Sequence, residues 1–288
     1  MTIAEEKIYT RLLSETAGVL PRLFQELLLT YGQPSEVFEV PVPELSGHPR
    51  VGGKLAKAIG KAKESYLQVE SETNDFAAKK IYTLSFLEEN YPPLLRALGD
   101  PPPLLFYRGI FPFANEKTVA VIGPDTPNQE TVAQAVRIGR ALARNGVSIV
   151  TGPGKGVEAS AQVGAVVVGK PTRLVLSCGH EADLTEEEVI LGVQVEKKGV
   201  LLSEYPPLMK KSPEHEAASR RLVIALAQAV LVIASSGADK LTEATFELAI
   251  QQGKPIFVFN SDPKAGFPPE AIPLVREEEI NLVVLSLV

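Results

Sequence analysis

The chain contains no tryptophan, a single cysteine and three histidines among its 288 residues. One cysteine, Cys178, excludes an internal disulfide and any cysteine-based zinc site, and it fits a reducing compartment such as the cytoplasm. His48, His180 and His215 are scattered without metal-ligand spacing, so they read as ordinary surface or loop residues. Aromatic residues make up only 6% of the chain. Extended base-stacking platforms are therefore not expected, and any nucleic-acid contact should be mainly to backbone. The net charge of −6 argues against a protein that coats nucleic acid non-specifically. It leaves room for a local basic pocket, because clustering sets the field near a ligand. No apolar run is long enough to span a bilayer, and the longest, such as Val119–Ile122 and Ala229–Ala234, have the length of buried strands. Met1–Ile8 carries two glutamates before any apolar run, so neither a secretory leader nor a membrane partner is expected.

What is present is 45% hydrophobic, enough for one large core and a smaller second one. In the first region, residues 1–71, Ile8, Leu12, Leu13, Leu20, Leu23, Leu27 and Leu28 recur at helical spacing. Pro21 suits a first helical turn, and Tyr31-Gly32-Gln33-Pro34 is a stop signal. A second helix is expected over Lys54–Ser65. The Val51-Gly52-Gly53-Lys54 segment before it resembles the turn of a helix-hairpin-helix, which can present backbone N–H groups to phosphates, although Gly-Gly between helices reads first as a plain turn. The region is expected to be a small all-helical domain of this kind.

Residues 72–288 read as one α/β domain with a parallel sheet and helices on both faces. Residues 72–115 form a leading extension with a strand at Ile81–Leu84, a short helix around Leu94–Leu98 and a strand at Leu104–Gly109. In the core, residues 116–262, fully apolar strands alternate with helices. Strands are expected at Val119–Ile122, Val147–Thr151, Thr172–Ser177, Val200–Ser203, Ala229–Ala234 and Pro255–Phe259. The helices between them are Thr131–Arg144, Glu158–Val167, Glu186–Lys198, Ser219–Leu226 and Thr242–Gln252. The tail, residues 263–288, ends in Ile280–Val288, read as a short strand or an apolar docking segment.

Ligands of open parallel α/β sheets bind outside the carboxyl ends of the strands. Three such ends carry loop chemistry: Gly123-Pro124-Asp125-Thr126, Thr151-Gly152-Pro153-Gly154-Lys155-Gly156 and Ser235-Ser236-Gly237. The second has three glycines around Lys155 just before a helix, which allows close backbone approach and aims a positive dipole end at an anion. It is neither a P-loop nor the dinucleotide fingerprint, whose spacings it misses. Ser219-Arg220-Arg221 places two arginines at the start of an expected helix, where positive charge is unfavourable, which points to an anionic ligand; pairing with Glu214 or Glu216 is the alternative. Cys178 reads as a small buried residue and Glu186-Glu187-Glu188 as a helix cap. Glu243 and Glu247 lie one turn apart on one helix face, where solvent is the simpler neighbour of a carboxylate pair than a hydrolase substrate.

These segments together resemble the DNA-processing protein A (DprA/Smf) family, from about Leu12 to Asp262. Asn90-Tyr91-Pro92-Pro93-Leu94-Leu95 and Asp100-Pro101-Pro102-Pro103-Leu104-Leu105-Phe106-Tyr107-Arg108-Gly109 match its leading motif. Thr151-Gly152-Pro153-Gly154-Lys155-Gly156-Val157-Glu158-Ala159-Ser160-Ala161 resembles S-G-x-A-[RK]-G-I-D-x-x-A, and Gly199–Pro206 resembles G-x-x-x-S-E-Y-P. The resemblance implies an extended Rossmann fold, a homodimer without cofactor or catalytic activity, binding to single-stranded DNA, and loading of the RecA recombinase in natural transformation. It carries a DNA-contact role to Lys155 and to Arg221, the second arginine of the family's R-N-R. With the loops, the expected phosphate- or DNA-binding set is Gly123, Thr151, Gly152, Gly154, Lys155, Gly156, Arg220, Arg221, Ser235, Ser236, Gly237 and Lys240. Four segments depart from the family. G-S-R is Gly123-Pro124-Asp125, R-N-R is Ser219-Arg220-Arg221, S-G-S-L-x-T-A is stretched to Ser236–Ala244, and V-P-G is Val258-Phe259-Asn260. A phosphate-binding arginine is thereby lost, which should weaken backbone binding. The alternative function is a nucleotide-binding sensor or phosphoribohydrolase-like protein, of whose P-G-G-x-G-T-x-x-E loop Ser235-Ser236-Gly237 with Glu243 or Glu247 is a faint echo.

Overall fold

The computed structural model describes residues 1–111, 116–153, 155–234, 240–260 and 267–287, the side chains of Lys240 and Leu241 excepted. The chain divides into two compact units, Met1–Phe106 and Tyr107–Val288. The boundary expected from the sequence, at residue 71, falls inside helix Tyr66–Ala78.

The first unit is built on helices α1 (Ile3–Ser14), α2 (Pro21–Tyr31), α3 (Pro34–Val37), α4 (Val42–Ser46), α5 (Gly52–Ala62) and α6 (Tyr66–Ala78). Thr2 caps α1 through a reciprocal box in which its hydroxyl accepts from Glu5 N and the Glu5 carboxylate accepts from Thr2 N. Leu13, Phe24, Leu27, Val37, Leu45, Ala56 and Ile59 close a small core between the helices. Arg11 is nearly buried and is held there by Glu15 and Glu72, both at 2.7 Å. Strand β1 (Tyr82–Ser85), helix α7 (Pro93–Arg96) and strand β2 (Leu104–Gly109) follow.

The second unit alternates strand and helix. Its elements are β3 (Thr118–Ile122), α8 (Gln129–Arg144), β4 (Ser148–Thr151), α9 (Val157–Val168), β5 (Arg173–Val175), α10 (Glu186–Glu196), β6 (Val200–Ser203), α11 (Pro213–Ala225), β7 (Ala229–Ile233), α12 (Lys240–Gln251), β8 (Ile256–Phe259), β9 (Ala271–Leu274) and α13 (Ile280–Ser286). The strand order in this unit is β6-β5-β4-β3-β7-β8-β9, with every neighbouring pair parallel. The chain builds outward from β3 and then returns to its other side with β7. With right-handed crossovers, that reversal puts α8, α9 and α10 on one face and α11 and α12 on the other, as in a Rossmann fold. Val119 and Val121 pack into a core with Ala135, Ile138, Val157 and Ala161, while the alternate residues Ala120 and Ile122 are buried toward the opposite face.

Two expectations are corrected. Of the two readings of Ile280–Val288, the strand is overturned and the apolar docking segment holds: Ile280–Ser286 is a helix, and Ile280, Val283 and Leu287 at helical spacing dock it on the core. Helix α11 begins at Pro213 and not at Ser219. Ser212 caps it by accepting from His215 N at 3.2 Å, Pro213 fills its first position, and Glu214 and Glu216 occupy its first turn. Arg220 and Arg221 therefore lie about two turns inside the helix, away from its dipole end. Strand β9 lacks any counterpart in the sequence reading.

Candidate nucleic-acid interface

Strand β3 and the β4–α9 loop end where α11 crosses the sheet, close to the β3/β7 switch point. Between them lies a cavity of about 290 Å³ lined by Asp125, Gly152, Pro153, Lys155, Lys211, Glu216, Ser219, Arg220 and Val223. Such a crevice is where an open α/β sheet receives its ligand.

The loops are drawn together by glycines. A Cβ on Gly123 would sit 2.5 Å from the Ile233 carbonyl and 2.6 Å from Val157 Cγ1. Gly156 adopts φ +60°, and a Cβ there would sit 2.4 Å from the Pro124 carbonyl. Val157 N donates to that same Pro124 oxygen at 3.2 Å. These glycines serve backbone-to-backbone fit, so their requirement is steric before any ligand arrives.

Glu158 organises the site and was not foreseen in that role. It is fully buried in the first turn of α9; one carboxylate oxygen accepts from Gly152 N at 2.8 Å and the other from Arg220 Nη1 at 2.8 Å. A carboxylate there complements the helix dipole and already takes up the Gly152 amide that a phosphate would have used. Burial pulls the Arg220 pKa down, but the Glu158 charge and hydrogen bond, with Asp125 and Glu216 beyond, outweigh it and hold the guanidinium charged. Lys211 is pinned by Glu188 at 2.8 Å and Glu216 at 3.3 Å. Burial lowers its pKa, yet the two carboxylates raise it overall. Lys155 is exposed and has no ion-pair partner among the described residues.

The other expected residues are dispersed. Thr151 is fully buried and its hydroxyl accepts from Gln162 Nε2 at 3.1 Å. Arg221 pairs with Glu204 at 2.6 Å and is not part of the cavity lining. Gly154, Ser235, Ser236 and Gly237 lie outside the described residues, as does the Lys240 side chain at the start of α12. Lys211 and Glu216 were missed as lining because the start of α11 was misplaced; Lys210-Lys211 just ahead of the Ser212-Pro213-Glu214 helix signal was the available clue. The charges around the cavity are close to balanced, with Lys155, Lys211 and Arg220 facing Asp125, Glu216 and the buried Glu158.

Beside this cavity lies a second one of about 330 Å³, which shares Pro153 and Lys155 and is walled by Ala159, Leu174, Leu176 and Leu191. Nearby groups suited to chemistry are held in inert forms. Burial pushes the Cys178 thiol up to about 11, which keeps it protonated at neutral pH. Burial, and then the Glu204 charge, push the Tyr205 phenol up to about 12, with its ring stacked 4.2 Å from that of His215. Among the described residues no group of three or more His, Cys, Asp or Glu could hold a metal ion. The arrangement is suited to binding an anion.

A model of the family described as DNA recombination-mediator protein A matches residues 82–268. The chain is 24% identical to DNA processing protein DprA of Bacillus subtilis over 251 residues, covering 85% of this chain and 84% of that protein. It is 26% identical to DprA of Streptococcus pneumoniae over 194 residues, covering 67% and 68%. The crystal structure of the Streptococcus pneumoniae protein has the same fold, with a TM-score of 0.71 at 21% identity over 98% of each chain. The structure of Helicobacter pylori DprA, described for its single-stranded DNA binding mode, gives a TM-score of 0.62 at 24% identity, covering 73% of this chain and 98% of that one.

Proposed function

Because the chain belongs to the DNA recombination-mediator protein A family, we propose that it binds single-stranded DNA in the cavity above β3 and β4. Lys155 is the mobile cation that meets the backbone phosphate. Arg220, fixed by Glu158, and Lys211, fixed by Glu188 and Glu216, form the charged wall behind it. The observation that carries the reading is the exposed Lys155, without an ion-pair partner among the described residues, at a crevice whose other cations are already held in place. The Helicobacter pylori relative is described as binding single-stranded DNA. Asp125 stands in the loop where the family carries an arginine, so binding is weaker and less salt-dependent than an arginine at that position would give. The strand is held rather than cleaved, and the protein acts in the cytoplasm as a homodimer that passes the strand to RecA during natural transformation.

Fluorescence anisotropy with a labelled oligothymidylate at two salt concentrations tests the site. Lys155→Ala should weaken binding several-fold at low salt and flatten the log–log salt slope by about 0.7, one phosphate contact on a single strand. Absence of binding by the unaltered protein at low salt, or an unchanged slope in the variant, contradicts the proposal. RecA filament formation on single strands coated with a single-strand-binding protein, with and without this chain, tests the recombinase step.

A further inference from the structure

The cavity leaves unused a lysine-bearing helix of the first unit. Helix α5 reads Gly-Gly-Lys-Leu-Ala-Lys-Ala-Ile-Gly-Lys-Ala and contains three lysines and no acid. Lys54, Lys57 and Lys61 lie at i, i+3 and i+7, which brings them onto one face within about 60° of each other. All three are exposed, and the opposite face holds Ala56 and Ile59 in the core. None of the three has an ion-pair partner among the described residues. Glu26 and Glu39 are occupied elsewhere, the former by Arg22 and Arg50 and the latter by Lys63. Lys61 borders a hollow also lined by Glu64 and by Glu15 and Glu72, the last two held by Arg11, which makes it the weakest of the three. A face kept merely for solubility usually interleaves signs. This one does not, in a chain whose net charge is −6.

The turn that leads into the helix adds to the same face. Gly52 has φ +59°, which favours glycine there, whereas Gly53 has nothing within 4 Å of where a Cβ would lie and is not required by packing. The first turn of α5 carries no acidic residue and no side-chain cap. The exposed helix start and the lysine stripe therefore carry no acid or side-chain cap that would compete with a phosphate, and a stripe of three cations suits a row of phosphates rather than a single small anion.

We propose that the Lys54, Lys57 and Lys61 face of α5 is a second nucleic-acid contact surface that grips the phosphate backbone without reading sequence. The inference rests on the reading of the chain as a binder of single-stranded DNA and adds a surface on its first unit. The same anisotropy titration, run over a range of salt with full-length protein, tests it. The variant Lys54→Gln/Lys57→Gln/Lys61→Gln should bind at least about tenfold more weakly and lose about 2 from the log–log salt slope, at roughly 0.7 per contact. The corresponding triple Lys→Arg variant should keep the slope, and an unchanged melting temperature in both shows that folding is intact. A slope unchanged by the glutamine substitutions, in an assay where Lys155→Ala does lose affinity, overturns this inference and leaves the cavity reading standing. A loss confined to the α5 variant, with Lys155→Ala unaffected, overturns the cavity reading and leaves this surface standing. No binding by the unaltered protein overturns both. Displacement of the strand by poly-glutamate as readily as by unlabelled oligonucleotide assigns the face to an acidic protein segment and also overturns the inference.

Discussion

A single buried carboxylate decides how the cavity is held. Glu158 joins the β4 loop, the start of α9 and the middle of α11 through Gly152 N and Arg220 Nη1. Removing one partner of such a pair strands the other charge in a low-dielectric site. Glu158→Ala should therefore cost about 3–5 kcal/mol in urea unfolding, whereas Lys155→Ala, on the exposed rim, should stay within about 0.5 kcal/mol. A Glu158→Ala protein as stable as the unaltered one would contradict the role given to this residue. The position of Lys155 beside glycines at a strand end was legible in the sequence as a local signal, whereas Arg220 was read at a helix start and stands inside α11. Glu158 was not legible, because its meaning depends on a partner 62 residues away.

Among the elements, the buried strands β3, β4, β6, β7 and β8 could be read within a residue or so, because full burial leaves an unbroken apolar run. Errors fell where two signals compete. In α11 the apolar stretch Leu222–Leu226 drew attention from the polar start Ser212-Pro213-Glu214, which sets the true boundary. In the tail, Ile280–Val288 is rich in β-branched and leucine residues, yet its three-and-four spacing fits the core only as a helix. Helices α8 and α9 meet through small residues: a Cβ on Gly164 would sit 2.1 Å from the Val136 carbonyl, and one on Gly139 would sit 2.1 Å from the Ala161 carbonyl. Gly164→Ala gains up to about 1 kcal/mol of helix propensity but forces the two backbones apart, at a cost of about 1–3 kcal/mol. The variant should unfold at lower temperature, and a raised melting temperature would show that the contact has slack. Leading into α13, the Glu279 carboxylate accepts from Val275 N and Arg276 N, and these bonds lower its pKa from the ordinary 4.5 to about 2. A depressed carboxylate contributes stability above its unfolded value and loses it on protonation. The Val275 and Arg276 amides should therefore lose hydrogen-exchange protection as pH falls from about 4.5 through 2, and Glu279→Gln should abolish that pH dependence.

For the whole molecule, a net charge of −6 is compatible with the proposed nucleic-acid binding because the cations it relies on are few and local. The fold class could be read from the alternation of apolar strands and helices, and the family from ordered motifs spread over more than half the chain. The charge balance of the cavity could not, since it depends on Asp125, Glu216 and Lys211 converging from separate segments. The most direct measurement is lysine acetylation footprinting by mass spectrometry, with and without an oligothymidylate at low salt. Protection of Lys155 and Lys211, with the exposed Lys170 and Lys198 labelled equally in both conditions, is the predicted result. Equal labelling of Lys155 with and without the bound strand would contradict the placement of single-stranded DNA in this cavity.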